Sequence, residues 1–183
     1  MRNILKYITI AMMTITTNTL SGQEPNTTPN ANNLNPNLDK YMGVWKWESG
    51  NKSFTILLKK QNVVLPPASR NVRADILYGF HQYVDSGLIV ENSLNNATST
   101  YNDLDFTVSG GMGREGLGNT LEGSLYHISK NEKVVEFIIE YIDSNHIKLV
   151  SLKNPPGVKL VKSGQPDYDW SISLPQNIIL TKQ

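Results

Sequence analysis

Three histidines, His81, His127 and His146, have the widest chemical scope in this 183-residue chain, because imidazole can carry a proton near neutral pH or ligate zinc. Each lies in a different β-rich segment, and none has the short ligand spacing or the flanking carboxylate cluster of a zinc site. They read as separate surface or cavity-lining groups, and no metal is expected. Paired acids come next. Glu136 and Glu140 share the charged face of one strand, a solvated position. Asp103 and Asp105 precede Phe106, and Asp167 and Asp169 flank Tyr168 before Trp170. Those pairs could hold a cation or a sugar on an aromatic platform, although acids in turn-rich segments usually cap turns. Gly111, Gly113 and Gly116 have the spacing of a dinucleotide loop. Such a loop needs a helix N-terminus behind it, and here LEGSLYHI follows as a strand pattern. No serine sits in a nucleophile elbow, and the absence of cysteine excludes thiolate chemistry and disulfides. The side chains describe a non-catalytic protein without a cofactor.

The segments that carry these residues alternate with a period of two. In SFTILLKK, residues 53–60, Phe54, Ile56 and Leu58 share one face; in VVEFIIEYI, Val135, Phe137, Ile139 and Tyr141 oppose Glu136 and Glu140. NVRADILYGFHQYV, residues 71–84, is β-rich, with a bulge or bend expected at Gly79. The DSG that follows turns the chain into LIVEN. LEGSLYHIS, KVVEFIIEYI and HIKLVSLK form a meander, and LPQNIILTKQ supplies a last strand. One wet and one apolar face per strand indicate an antiparallel sheet. Roughly eight such strands remove their edges by closing into an up-and-down barrel, with a β-sandwich as the alternative. The expected loops span residues 62–72, 95–119 and 153–168.

The N-terminal part has a different composition. Arg2 and Lys6 precede the uncharged YITIAMMTI and then small residues, the order of a secretory signal peptide, here residues 1–22. Without Arg2 and Lys6, 15 basic residues face 16 acidic ones, a formal charge of −1. That balance offers no field for nucleic acid. With no cysteine for a lipid anchor, the expected product is secreted or periplasmic and has no membrane anchor after cleavage. Residues 23–40, rich in Asn and Pro, have little to bury and are expected to be a disordered arm before a single domain at 41–183.

At the start of that domain YMGVWKW places Gly43, Trp45 and Trp47 on one side of a strand. This resembles the Gly-x-Trp opening of the lipocalin and calycin superfamily, whose first strand sets its Trp at the closed end of an antiparallel barrel. Lipocalins stack a late-strand Arg on that Trp. Here no Arg follows Arg114, and Lys182 could take that place by a cation–π contact. GVWKWESGNKSFTILLKK with the terminal IILTKQ is also similar to a family of small secreted bacterial proteins of unknown function. A barrel of this kind is expected to receive a small hydrophobic or amphipathic ligand in its interior, with Trp45, Trp47, Phe54, Ile56, Tyr78, Phe80, Phe137 and Tyr141 at the interior positions, where they either line a cavity or fill the barrel solidly. The alternative is a protein-interaction module, a secreted inhibitor or cell-envelope accessory factor, that meets an unidentified protein partner through its rim loops.

Overall fold

The structure, a computed structural model, describes residues 26–112, 118–157 and 168–183. The expected signal peptide, Gly113 to Gly116 and Asp167 lie outside the described residues. Among the described residues ten strands run in chain order: β1 Asn32–Asn33, β2 Gly43–Ser49, β3 Lys52–Val64, β4 Arg73–Asp85, β5 Leu88–Asn92, β6 Val108–Met112, β7 Thr120–His127, β8 Lys133–Asp143, β9 His146–Lys153 and β10 Ile178–Lys182. Eight of them, β2 to β4 and β6 to β10, close an antiparallel up-and-down barrel. The closing pairs are Lys182 with Trp45 and Gly79 with Val108. Among the described residues no helix is long and apolar enough to cross a membrane.

Register explains which residues turn inward. Trp45 pairs with Ile56, Trp47 with Phe54 and Ile56 with His81, and paired residues of adjacent antiparallel strands share a face. The same parity continues through Leu125 opposite Val135 and Gly123 opposite Phe137. Trp45, Phe54, Ile56, Phe137, Ile139, Leu149 and Leu180 are all at most 2% exposed and belong to one core. Gly123 belongs to this surface because a Cβ there would lie 2.1 Å from the Ser109 carbonyl oxygen and 2.7 Å from Phe137 Cζ. The aromatic ring fills the space that the glycine leaves open.

Segments outside the eight strands also pack into the core. At the Gly43 end a 3₁₀ turn, Pro36–Tyr41, is capped by Asn35, whose side chain accepts from Asn37 N–H, and it buries Leu38 and Tyr41 completely. The expected disordered arm is therefore ordered from residue 26 onward. Its asparagines act as pairing groups: Asn33 Nδ2 donates to the Arg73 carbonyl at 3.0 Å, and Asn35 N–H donates to Asp75 at 2.9 Å. β1 lies parallel to β4. Toward the opposite end the segment before β10 packs Leu174, 3% exposed, into the same core, and the neighbouring Ser173 N–H donates to His127 at the end of β7.

Two local expectations change. β4 pairs without a register shift through Gly79; the irregularity comes later, between Tyr83 and Val84 against β5. A Cβ on Gly79 would meet the Leu57 carbonyl oxygen at 2.0 Å, so this glycine permits close strand approach rather than a bulge. The DSG turn forms as expected, with Ser86 and Gly87 both at positive φ, as a two-residue hairpin requires.

Candidate functional site

β4, β5 and β7 bring together residues that look unrelated in sequence. His81 opposes Ile56 and is inward; Glu91 opposes Tyr83 on β5; His127 ends β7 opposite Lys133. All three are essentially inaccessible, at 0%, 1% and 0% exposure. The Glu91 carboxylate lies between the two imidazoles, with Oε2 2.8 Å from His81 Nε2 and Oε1 2.5 Å from His127 Nδ1. It also accepts from the Ser129 hydroxyl at 2.5 Å and from the N–H groups of Ser129 and Ile128 at 3.1 Å each. Burial alone would raise this carboxyl group's pKa. The hydrogen bonds from His127, His81 and Ser129 outweigh burial and hold it well below the ordinary carboxylate range.

The network reaches outward on both sides. His81 Nδ1 lies 2.8 Å from the Thr107 hydroxyl, which lies 2.7 Å from that of Ser93. With Nε2–H directed at Glu91, His81 Nδ1 is left to accept the Thr107 hydroxyl, while the Ser93 hydroxyl donates to the His81 carbonyl at 3.1 Å and accepts the His81 N–H at 2.8 Å. On the other side His127 Nε2 accepts the Ser173 N–H at 3.1 Å and faces the Ser173 hydroxyl at 3.2 Å. Accepting that N–H fixes the His127 proton on Nδ1, directed at Glu91.

Ser173, His127 and Glu91 have the order of a nucleophile, base and orienting acid. His127 Nε2 accepts the Ser173 backbone N–H as well as facing its hydroxyl, which anchors the 171–174 segment to the end of β7. Lys133 supports the same segment, donating to the Asp169 and Ser171 carbonyls at 2.7 and 2.6 Å. His81 and His127 are thus joined by one carboxylate, contrary to the expectation of separate imidazoles. His146 stands apart, half-exposed beside Asp143 at 2.9 Å. Among the described residues no group of three or more His, Asp or Glu is arranged to hold a metal ion.

Ser93 and Thr107 also form part of the floor of an open cleft of about 590 Å³ outside the barrel wall, between the 92–107 segment and β7. Asn92, Asn96, Leu104, Asp105, Phe106, Tyr126, Ile128 and Glu132 complete its lining. Leu104 is 73% exposed and adopts φ +61°, a left-handed conformation unusual for a branched side chain. A capping box between Thr100 and Asp103 holds it there: Asp103 accepts from Thr100 N–H at 2.7 Å. The Asp103 and Asp105 pair therefore divides, with Asp103 capping the turn and Asp105 lining the cleft.

The eight residues expected to line a ligand cavity fall into three groups. Trp45, Phe54, Ile56 and Phe137 are buried core, and Trp47 and Tyr141 are partly buried against it. Tyr78 and Phe80, expected inside, pair with Lys59 and Leu57 and so face outward. They are buried there because the 93–107 segment covers them: Tyr78 meets Tyr101 and Phe106 edge-on at 5.9 and 6.2 Å. Lys59 ties that cover down by donating to the Ala97 and Ser99 carbonyls at 3.1 and 2.8 Å. Neither described cavity lies inside the barrel, where the inward side chains pack against one another.

Sequence reasoning passed over Glu91, Ser93 and Thr107. The signal available was a lone acid at the end of an apolar strand, LIVEN, with two histidines on other strands free to meet it. The chain belongs to the family described as Family of unknown function (DUF6705), which it matches over residues 1–183. No curated protein and no solved structure matches it.

Proposed function

We propose that this member of the family is an exported, non-catalytic binding protein whose site is the external cleft beside β7. The observation that carries this reading is Leu104: a rigid capping box presents an exposed leucine at the cleft lip in a backbone conformation that costs about 1–3 kcal/mol. Strain of that size persists where the surroundings impose it, and it concentrates at binding sites. Exposed Tyr126 and half-polar walls add the mixture of apolar contact and orienting groups typical of ligand clefts. The packed interior favours the cleft over the barrel cavity. Export is supported by the basic, apolar and small-residue order of residues 1–22.

Native mass spectrometry of the chain purified from its own host tests this reading. A bound species present on the wild-type chain and lost from the Leu104→Asp and Tyr126→Ala variants supports the cleft. A bound species that both folded variants retain would move the site elsewhere.

A further inference from the structure

The cleft continues into a strand edge, and this continuity indicates what kind of partner it takes; the inference rests on the cleft being a binding site. β5 pairs with β4 along one edge, and among the described residues no strand pairs with the other. Leu88, Ile89 and Val90 are 72%, 62% and 41% exposed. Native proteins blunt such an edge with lysine, proline, a bulge or a covering segment, because its free N–H and C=O groups are a template for another strand. LIVEN contains neither lysine nor proline, and its one bulge, at Val90, lies in the ladder with β4 and leaves Leu88 and Ile89 in regular register.

The edge is also held in place. Glu91 fastens the far end of β5 to the backbone of Ile128 and Ser129, and Asn92, the next residue, lines the cleft. The free part of the edge is thus Leu88 to Val90, bounded at Glu91 by the Ile128–Lys130 turn, and Ile128 of that turn and Asn92 of β5 both line the cleft. Charge selects among the segments that could pair there. Asp105 and Glu132 line the cleft, and none of the lining residues is Lys or Arg. Two copies of this chain pairing edge to edge would set two acid-lined clefts along one ribbon, an arrangement that like charge disfavours.

We infer that the free edge of β5 and the adjoining cleft bind an extended peptide segment of alternating apolar and basic side chains, which adds to the sheet as a further strand. Backbone pairing supplies affinity, and the cleft supplies selectivity through apolar contact and its two carboxylates.

The test is an amide chemical-shift titration of the ¹⁵N-labelled chain with an octapeptide alternating lysine and valine. Parallel titrations use its glutamate–valine counterpart, two lysine–valine peptides N-methylated at alternate residues, and maltohexaose. The expected result is saturable shifts at residues 88–92, Leu104 and Tyr126. One of the two N-methylation patterns should abolish binding, and the glutamate peptide should bind at least about tenfold more weakly. Asp105→Asn with Glu132→Gln should weaken the lysine peptide roughly two- to fivefold per charge removed. Equal binding of both N-methylated peptides would overturn strand addition while leaving the cleft as a site. Shifts with maltohexaose but not with the lysine peptide would overturn the peptide assignment alone. Absence of cleft shifts with every probe would remove both readings. Concentration-dependent broadening without peptide, relieved by Ile89→Lys, would assign the edge to a second copy and overturn the inference.

Discussion

The Lys182 ammonium lies over the Trp45 indole, 5.0 Å from the ring centroid, and its stem passes Gly43 so closely that a Cβ there would stand 3.0 Å from Lys182 Cε. The first and last barrel strands are thus joined by more than the Lys182–Trp45 backbone register. Gly43 also has φ +122°, a region that favours glycine. The spacing Gly43-x-Trp45 follows from this contact: the glycine admits the lysine stem and the indole receives its charge. Trp45 Nε1–H donates to the Tyr41 carbonyl at 2.8 Å, tying the same ring to the end plug.

Loss of this ring should be severe. Trp45→Ala is expected to cost about 3–5 kcal/mol in denaturant unfolding, the range for a fully buried aromatic. Lys182→Ala should cost only about 0.5–1 kcal/mol, because its ammonium remains near solvent. A Trp45→Ala loss below about 1 kcal/mol would place the indole outside the core.

Glycines of β6 and β7 should divide by face. Gly123→Ala forces a methyl group against the Ser109 carbonyl and the Phe137 ring, with an expected cost of about 1–3 kcal/mol or more. A Cβ on Gly111 would have nothing within 4 Å, so Gly111→Ala should change stability by no more than about 0.5 kcal/mol. Equal effects at the two sites would contradict the inward register.

Stability should fall in acid, with Glu91 as a main cause. Its folded-state pKa is depressed from the ordinary value of 4.5, so ionised Glu91 stabilises the fold above that value. That contribution is lost as pH falls below 4.5 toward the depressed folded-state pKa. Urea midpoints for Glu91→Gln should be lower than wild type near neutrality and should depend less on pH below 4.5. A parallel pH profile for the two chains would contradict a buried, ionised Glu91.

Leu104→Asn separates stability from binding. Asparagine tolerates the left-handed conformation better, and an exposed leucine contributes little burial, so thermal unfolding should show stability unchanged or raised by up to about 1 kcal/mol. Binding at the cleft should weaken. A marked loss of stability would mean that Leu104 packs as a core residue.

The barrel was legible because the alternation in SFTILLKK and VVEFIIEYI leaves one parity for burial, and the register follows it residue for residue. Lys182 on Trp45 was readable from the Gly-x-Trp resemblance. Tyr78 and Phe80 were misplaced because β4 is apolar on both faces, so parity alone could not show that a loop covers its outer side. The asparagine-rich arm resembled a solvated tail by composition, yet Leu38 and Tyr41 anchor it and its amides pair with β4. Glu91 was obscure for a different reason. A carboxylate is buried only where partners from distant segments converge, and no local pattern marks that convergence.

The most direct test of an external site is methyl NMR of the chain labelled at Ile, Leu and Val, titrated separately with dodecanoate and with the lysine–valine octapeptide. The methyl groups of Leu104 and Ile128 should shift with the octapeptide, while those of Ile56, Leu121, Ile139 and Leu149 should stay in place with either probe. Saturable dodecanoate shifts at these four inward residues, with Leu104 unmoved, would contradict the account and return the ligand to the barrel interior.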